Sequence, residues 1–360
     1  MADTQGQDLG TLPTWDLSDL YPGPDSAALK SDLEKVGKDV RSFNERYKGR
    51  LESLDGGAFG AAIVTYEAIQ EITGRIMSYA QLVYSGNVAD PEVGKFYQTM
   101  RERVTAISTD LIFFTLEINE LDDAVFDAKL KAPETAKYEP WLRDVRLFRE
   151  HQLSEEMERL LHEKYVAGPA AWNRLFDETM AGLRFSVDGK TLTTEETLHL
   201  LSDHDGAVRE KAAKALGTVL RQNARIFCLV TNTLAKDKEI DDKWRHYARP
   251  QSFRNLANQV EDEVVDALVS AVKAAYPRLS HAYYQMKAEW FGKDKLDYWD
   301  RNAPLPESED KVIKWDEAKT IVLDAYGAFS GEMAAVGKRF FDNAWIDAPA
   351  REGKAGGMVD

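Results

Sequence analysis

Cysteine is nearly absent from the 360-residue sequence, in which Cys228 is the one residue of its type. A single thiol cannot form an intramolecular disulfide, which fits the reducing cytoplasm, so we expect a cytoplasmic protein. Cys228 lies in an apolar run from Ile226 to Val230, where no neighbouring charge would stabilise a thiolate. We therefore predict a buried structural cysteine and not a nucleophile.

Positive charge is also scarce, because 46 Lys and Arg face 61 Asp and Glu and give a net charge of −15. Nucleic acids and anionic membranes are bound by clustered Lys and Arg, so the charge argues against both as main partners. No apolar run approaches the roughly 18 residues that a membrane span needs. The first ten residues also lack the basic and apolar regions of a secretory signal.

The sequence lacks the common catalytic motifs. A helical zinc site of the HExxH type needs two His four residues apart and a Glu between them. His162-Glu163 begins this pattern, but Val166 stands where the second His would be. There is no GxSxG element, and the glycine-rich stretch at 353–357 does not have the order of a phosphate-binding loop.

Two acidic clusters are candidates for a metal or for acid–base chemistry, and both have a simpler interpretation. His204 lies between Asp203 and Asp205 in a predicted turn, where capping carboxylates are much commoner than metal ligands. Asp241 and Asp242 are adjacent on a predicted helix, so their side chains point about 100° apart and a solvated face is expected. The residue patterns alone therefore leave the function open.

Apolar residues at helical spacing are abundant, and they predict a mainly α fold. Residues 26–48, 58–86 and about 91–118 have the apolar stripe of long helices packed in a bundle. Further helices are predicted over about 207–246, over 261–290 with a kink at Pro277, and over 315–339. Before the first helix, Trp15 and Leu17 predict a docking segment.

One small β-hairpin interrupts the helices at 183–193. Leu183, Phe185 and Val187 alternate with polar residues, and Asp188-Gly189 follows as a tight-turn dipeptide. Thr193 and Glu196 then have the spacing of a capping box, which predicts that a helix begins directly after the hairpin.

Residues 296–306, LDYWDRNAPLP, form a second irregular stretch. Leu296, Tyr298 and Asp300 alternate with the residues between them, which predicts a short extended element ended by prolines. This stretch is either a connector with aromatic residues in the core or a place where the chain turns into a cleft.

Several separate stretches, in this order, resemble oligoendopeptidase F of the thimet-oligopeptidase-like zinc metallopeptidase family. They lie at residues 12–21, 153–158, 185–201, 300–305 and 345–354, so the resemblance spans the whole chain. It implies a mainly α, elongated long-helix bundle with a deep cleft that admits short peptides. It also implies a zinc ion, held by both His of an HExxH helix and a downstream Glu, that activates water for peptide hydrolysis.

The resemblance also implies a domain order. We expect a flexible tail at 1–12, an N-terminal helical bundle at 13–115, an oligoendopeptidase F-type helical subdomain at 116–182, and the first part of the catalytic domain at 183–360. In the family the HExxH region follows the segment that matches residues 345–357, so the motif and its downstream Glu are expected beyond residue 360. The chain is thus expected to be an N-terminal portion, truncated before the zinc helix.

No catalytic, cofactor-binding or metal residue is therefore assigned in this chain. Zinc is expected in the full-length family member and none in the chain alone, which should hydrolyse nothing. The alternative is a non-catalytic helical protein that binds peptides or acts as a scaffold. Apolar faces of 261–290 and 315–339 should be exposed, which favours aggregation or partner binding. No oligomeric state is predicted.

Overall fold

The computed structural model describes residues 9–306, 312–349, 351, 353 and 354. Over these residues the fold is mainly α with one two-stranded antiparallel hairpin, which confirms the predicted fold class. Residues 1–8 of the predicted tail and residues 355–360, including Met358, Val359 and Asp360, lie outside the described residues.

The first helices form a bundle around an apolar core. They are α1 (Ala27–Tyr47), α2 (Gly56–Gly86), α3 (Pro91–Ser108) and α4 (Ile112–Glu120). Each of the first three begins at a side chain that accepts a backbone N–H, and these capping residues are Ser26, Asp55 and Asp90. A cap of this kind satisfies a donor that the helix itself cannot pair. The helix predicted over 91–118 is interrupted by a 3₁₀ turn, Thr109–Leu111.

The predicted apolar stripe of α1 is the centre of this core. Its buried residues are Leu29, Leu33, Val36, Val40, Phe43 and Tyr47. The Phe43 ring lies 5.1 Å from that of Phe114 and 5.8 Å from that of Phe113, measured between centroids. Burying one such side chain stabilises the fold by about 1.5–3 kcal/mol, so α1, α2 and α4 hold together through hydrophobic burial.

Shorter helices cover this bundle and lead away from it. They are α5 (Asp123–Leu130), α6 (Pro133–Ala136), α7 (Glu139–Arg146), α8 (Glu155–Lys164) and α9 (Pro169–Gly182). Helix α6 approaches α2 so closely that a Cβ on Gly60 would lie 2.6 Å from the carbonyl carbon of Glu134. A side chain at position 60 would therefore push the two helices apart.

The hairpin is confirmed where the sequence predicts it. Strands β1 (Phe185–Val187) and β2 (Lys190–Leu192) pair with Phe185 opposite Leu192. Asp188 and Gly189 have φ values of +48° and +78°, the two positive values that a two-residue type I′ turn requires. Helix α10 (Thr194–His199) begins at the predicted capping box, with both reciprocal hydrogen bonds present.

The remaining helices are α11 (Gly206–Gln222), α12 (Ala224–Trp244), α13 (Ser252–Ala257), α14 (Asp262–Ala275), α15 (Ala282–Trp290), α16 (Trp315–Phe329) and α17 (Gly331–Asp342). The prediction of one helix over 207–246 and of another over 315–339 is therefore wrong. Asn223 breaks the first, where its side chain donates to the Val219 carbonyl, and Ser330 breaks the second by capping α17. Short polar side chains bind nearby backbone and so compete with helix continuation. The kink predicted at Pro277 is present as a π-helical turn, Pro277–His281.

The prediction of a buried Cys228 is wrong, because its side chain is exposed. Helix α12 buries Val230 and Asp242, whereas Ile226 and Leu229 on the same apolar run are exposed. Part of the apolar run, at Ile226, Cys228 and Leu229, therefore faces outward over the described residues. The buried Asp242 also corrects the expectation of a solvated acidic pair, since its carboxylate is paired with Lys238.

Among the described residues, no helix combines the length and the apolar character needed to cross a membrane.

Candidate functional site

Residues 296–306 do not form the predicted extended element. A 3₁₀ helix, Tyr298–Asp300, occupies the centre of the stretch. The Asp297 side chain accepts the Asp300 N–H, and the Asp300 carboxylate accepts the Asp297 N–H in return. These reciprocal bonds curl the chain, so local side-chain pairing decides the conformation in place of the alternating pattern.

Asp300 is the buried centre of this turn. Its side chain is 0% exposed, and its Oδ1 accepts a hydrogen bond of 2.7 Å from Arg209 Nη2 of α11. Its Oδ2 accepts from Lys293 Nζ at 2.5 Å. Burial alone would raise the pKa of the Asp300 carboxyl, but the hydrogen bonds from Lys293 and Arg209 outweigh it and leave the pKa below its usual value. Asp300 is therefore a fixed anion and not a proton donor.

Arg209 joins this turn to the loop that the sequence singled out around His204. Its Nη1 donates to the carbonyls of Asp203 and His204 at 2.6 and 2.9 Å. In the same loop the Asp205 carboxylate accepts the Ala207 N–H and begins α11. The capped turn predicted at 203–205 is thus confirmed, and its carbonyls are bound by a buried guanidinium.

Lys287 of α15 fixes the other side of the turn. Its Nζ donates to the carbonyls of Arg301 and Ala303 at 3.0 and 2.7 Å, and the side chain is buried. Burial lowers the pKa of Lys287, and the nearby positive charge of Arg209 lowers it further. Cationic side chains from α11, from α15 and from just after α15 therefore converge on residues 297–303, which we call the anchored turn.

Tyr298 and Arg301 are among the exposed residues of the anchored turn. Tyr298 is 69% exposed, with its ring 4.8 Å from that of Trp299, and the Arg301 side chain is exposed beside them. A rigid backbone that presents an aromatic ring and a guanidinium can bind a peptide by stacking and by hydrogen bonds to carbonyl groups.

One further pair resembles part of a nucleophilic site. Ser108 Oγ lies 2.8 Å from His162 Nε2, which joins α3 to α8. Burial lowers the pKa of His162, whereas the Thr105 backbone and the negative charge of Glu163 act in the opposite direction. In a nucleophilic site a third group orients the base. We therefore interpret the Ser108–His162 pair as a helix–helix contact. No local pattern indicates this pair, because the two residues are 54 positions apart.

The described residues contain no group of three or more His, Cys, Asp or Glu side chains that could hold a metal ion. They therefore do not fit a zinc centre, and no chemical step can be assigned to zinc on them.

Many large hydrophobic side chains are exposed on the last helices of the described chain, and together we call them the open apolar surface. Its members are large hydrophobic side chains that are exposed on α14 to α17: Val264, Leu268, Val269, Val272, Tyr283, Tyr284, Met286, Trp290, Ile321, Val322, Tyr326, Phe329, Met333, Val336 and Phe340. Phe329 alone is 85% exposed. The apolar faces predicted to be exposed on 261–290 and 315–339 are thus confirmed over the described residues.

Known proteins resemble this chain over most of its length. The family described as Oligopeptidase F matches residues 117–185. Oligopeptidase PepF of Bacillus subtilis is 24% identical over 96% of this chain and 52% of its own length. Group B oligopeptidase PepB of Streptococcus agalactiae is 24% identical over 75% of this chain and 46% of its own length. The chain spans about half the length of the curated relatives it matches.

The fold is also that of a solved structure. The crystal structure of oligoendopeptidase-F from Enterococcus faecium superimposes with a TM-score of 0.71 at 21% identity, over 90% of this chain and 68% of that one. The predicted resemblance is therefore confirmed in sequence and in fold.

Proposed function

We propose that the chain belongs to the oligopeptidase F family and is the N-terminal portion of a zinc-dependent endopeptidase that hydrolyses short oligopeptides. The observation that carries this proposal is the similarity to an oligopeptidase over 96% of the chain. The helical bundle at 13–115, the subdomain at 116–182 and the first part of the catalytic domain at 183–360 are part of the proposal. A subdomain at 116–182 is supported by the family match at 117–185.

Within that enzyme, we assign peptide binding and not chemistry to this chain. The 360-residue sequence contains no HExxH motif, and the described residues contain no cluster suited to a metal ion. Zinc, which would activate water for hydrolysis, therefore belongs to residues that this sequence does not supply. Tyr298 and Arg301, held on the anchored turn, are the groups that we propose contact the peptide.

The proposed partners are short peptides in the cytoplasm. The single cysteine and the net charge of −15 support a reducing compartment and a partner other than nucleic acid.

A hydrolysis assay tests the proposal. The purified chain is incubated with an internally quenched oligopeptide, with and without added zinc, and no cleavage is expected in either case. Cleavage that a chelator abolishes would mean that the chain holds a complete zinc site. In parallel, the coding sequence downstream of codon 360 is read in all frames, and an HExxH motif there is the expected result.

A non-catalytic peptide-binding protein is the second candidate. It is favoured by the same rigid, exposed Tyr298 and by the lack of a metal cluster among the described residues. The two candidates differ in one observation. A peptidase requires the HExxH region to be encoded downstream, whereas a true terminator with no such motif in any frame leaves the binding protein.

A further inference from the structure

Residues 9–19, here called the strap, contain no helix or strand and lie against the last helices of the described chain. The Leu9 carbonyl accepts the N–H of Trp315 at 2.9 Å, where α16 begins. The Asp16 N–H donates to the Ala344 carbonyl at 2.8 Å, and the Pro13 carbonyl accepts the Ala348 N–H at 2.9 Å. The first described residues are thus joined by backbone hydrogen bonds to both ends of the α16–α17 hairpin.

Side chains add to this junction. Trp345 Nε1 donates to the Asp19 carboxylate at 2.9 Å. Pro13 lies over a cavity of about 70 Å³ that is also lined by Trp315, Phe341 and Ile346. Because the cavity is so small, the strap stays in apolar contact with the α16–α17 hairpin, although the packing between the two is not complete.

The strap is fixed to the first bundle at its other end. Leu17 and Leu20 pack against the bundle core, and Tyr21 is buried there. The Tyr21 hydroxyl donates to the Asp32 carboxylate at 2.7 Å. The strap therefore connects the α16–α17 hairpin to α1.

Residues that follow the hairpin reach the same bundle. The Gly353 carbonyl accepts the Val88 N–H at 2.7 Å, directly after α2. At Gly353 φ is +77°, and a Cβ would lie 2.0 Å from Asn87 Oδ1, so this contact needs glycine. Asp347, nearly fully buried, accepts two hydrogen bonds from the Arg351 guanidinium at 2.8 and 2.6 Å. The hairpin is thus connected to the bundle on two sides.

The hairpin itself has few other attachments. Helices α16 and α17 pack mainly on each other, and no residue of either is buried. Elements with little buried apolar area and few tertiary hydrogen bonds open locally at low free-energy cost. The orientation of the hairpin therefore depends on the strap and on the residues after α17.

We propose that the strap is a conformational device that holds the α16–α17 hairpin in one orientation on the first bundle. When the strap detaches, the hairpin moves as a unit while α1 to α4 stay folded. This inference goes beyond the proposed function and does not depend on it, because it is argued from the contacts of the strap and the hairpin and not from Tyr298 or Arg301.

Hydrogen exchange of truncated chains tests the proposal. A variant lacking residues 2–16 loses the three backbone hydrogen bonds but keeps Leu17, Leu20 and Tyr21 in the core. A variant lacking residues 2–8 is the matched control, since it keeps all three bonds. Asp19→Ala, which removes the acceptor for Trp345, is a milder third variant.

In the longer deletion, amides of α16 and α17 should exchange at least about tenfold faster than in the control, because three hydrogen bonds are lost together. Amides of α1 and α2 should be unchanged, and Asp19→Ala should give a smaller effect in the same helices. Unchanged exchange in α16 and α17 would overturn the proposal. Equal acceleration throughout α1 to α4 would also overturn it, because the strap would then be a general part of the bundle core.

Discussion

Arg209 and Asp300 are 91 positions apart in the sequence, yet the guanidinium donates to the carboxylate at 2.7 Å with both side chains at most 2% exposed. The pair joins α11 to the anchored turn and so determines where Tyr298 and Arg301 lie. A charge buried to this extent is tolerated only when it is paired and hydrogen-bonded. The position of the candidate peptide-binding residues therefore depends on a buried ion pair whose cation, Arg209, is far from them in sequence.

Replacing Asp300 by Ala should destabilise the chain strongly. Arg209 would be left buried without its counter-ion, and breaking a buried pair in this way costs about 3–5 kcal/mol. Urea unfolding followed by circular dichroism measures the change in the free energy of unfolding. The matched control is Asp342→Ala, which breaks the exposed pair with Lys338 and should cost at most about 1 kcal/mol. Equal losses in the two variants would contradict a special role for the buried pair.

Asp300 should also contribute to acid sensitivity. Its pKa is depressed in the folded state, so the unfolded chain takes up the proton first as the pH falls. The stabilisation is therefore complete above the unfolded value of about 3.9 and is lost as the pH falls through the lower folded value. Asp300→Asn should be less stable at pH 7 and should lose less further stability between pH 5 and pH 3.

Urea unfolding at a series of pH values checks this prediction. Asp39→Asn, which changes an exposed pair with Lys35, is the control and should follow the unmodified chain. If Asp300→Asn has the same pH dependence as the unmodified chain, Asp300 does not provide the acid-sensitive stabilisation.

The contrast between the β1–β2 hairpin and the anchored turn shows which parts of the fold can be predicted from the sequence. Asp188 and Gly189 specify their turn by themselves, because both accept positive φ and the strands on either side alternate. The capping box at Thr193 and the stripe of α1 are equally local. Asp300, in contrast, is buried because Arg209 and Lys293 pair with it, and no local pattern indicates the first of these partners.

Cys228 shows that a local pattern can also predict burial for a residue that is exposed. An apolar run predicts burial only if another element covers it, and over the described residues α12 leaves Ile226 and Leu229 exposed. The candidate site lies in a stretch that the resemblance of residues 300–305 to the family singles out, and its role stays a prediction. Its conformation and the roles of Arg209 and Lys287 could not be predicted, since they arise from packing between distant helices.

The open apolar surface should make the chain prone to self-association. Phe329 is 85% and Leu268 is 63% exposed, and large exposed apolar patches favour aggregation. The double variant Leu268→Ser with Phe329→Ser should bind less of a hydrophobic dye and remain monomeric at higher concentration in light scattering. Leu160→Ser is the matched control, because Leu160 is 57% exposed on α8, outside this surface. An equal gain from the control would mean that the surface on α14 to α17 is not responsible.

Peptide binding should depend on Tyr298 and Arg301, which are two of the exposed residues of the anchored turn. Tyr298→Ala removes an aromatic contact and Arg301→Ala a charged donor, so each should weaken the binding of a fluorescently labelled oligopeptide by about tenfold, since such contacts contribute on the order of 1–2 kcal/mol. Fluorescence anisotropy measures the dissociation constant for the 360-residue chain. Both substitutions should leave the urea midpoint unchanged, because the side chains are exposed. Tyr276→Ala, an exposed aromatic on the connection between α14 and α15, is the control. Equal weakening by all three variants would mean that the peptide binds elsewhere on the apolar surface and not at the anchored turn.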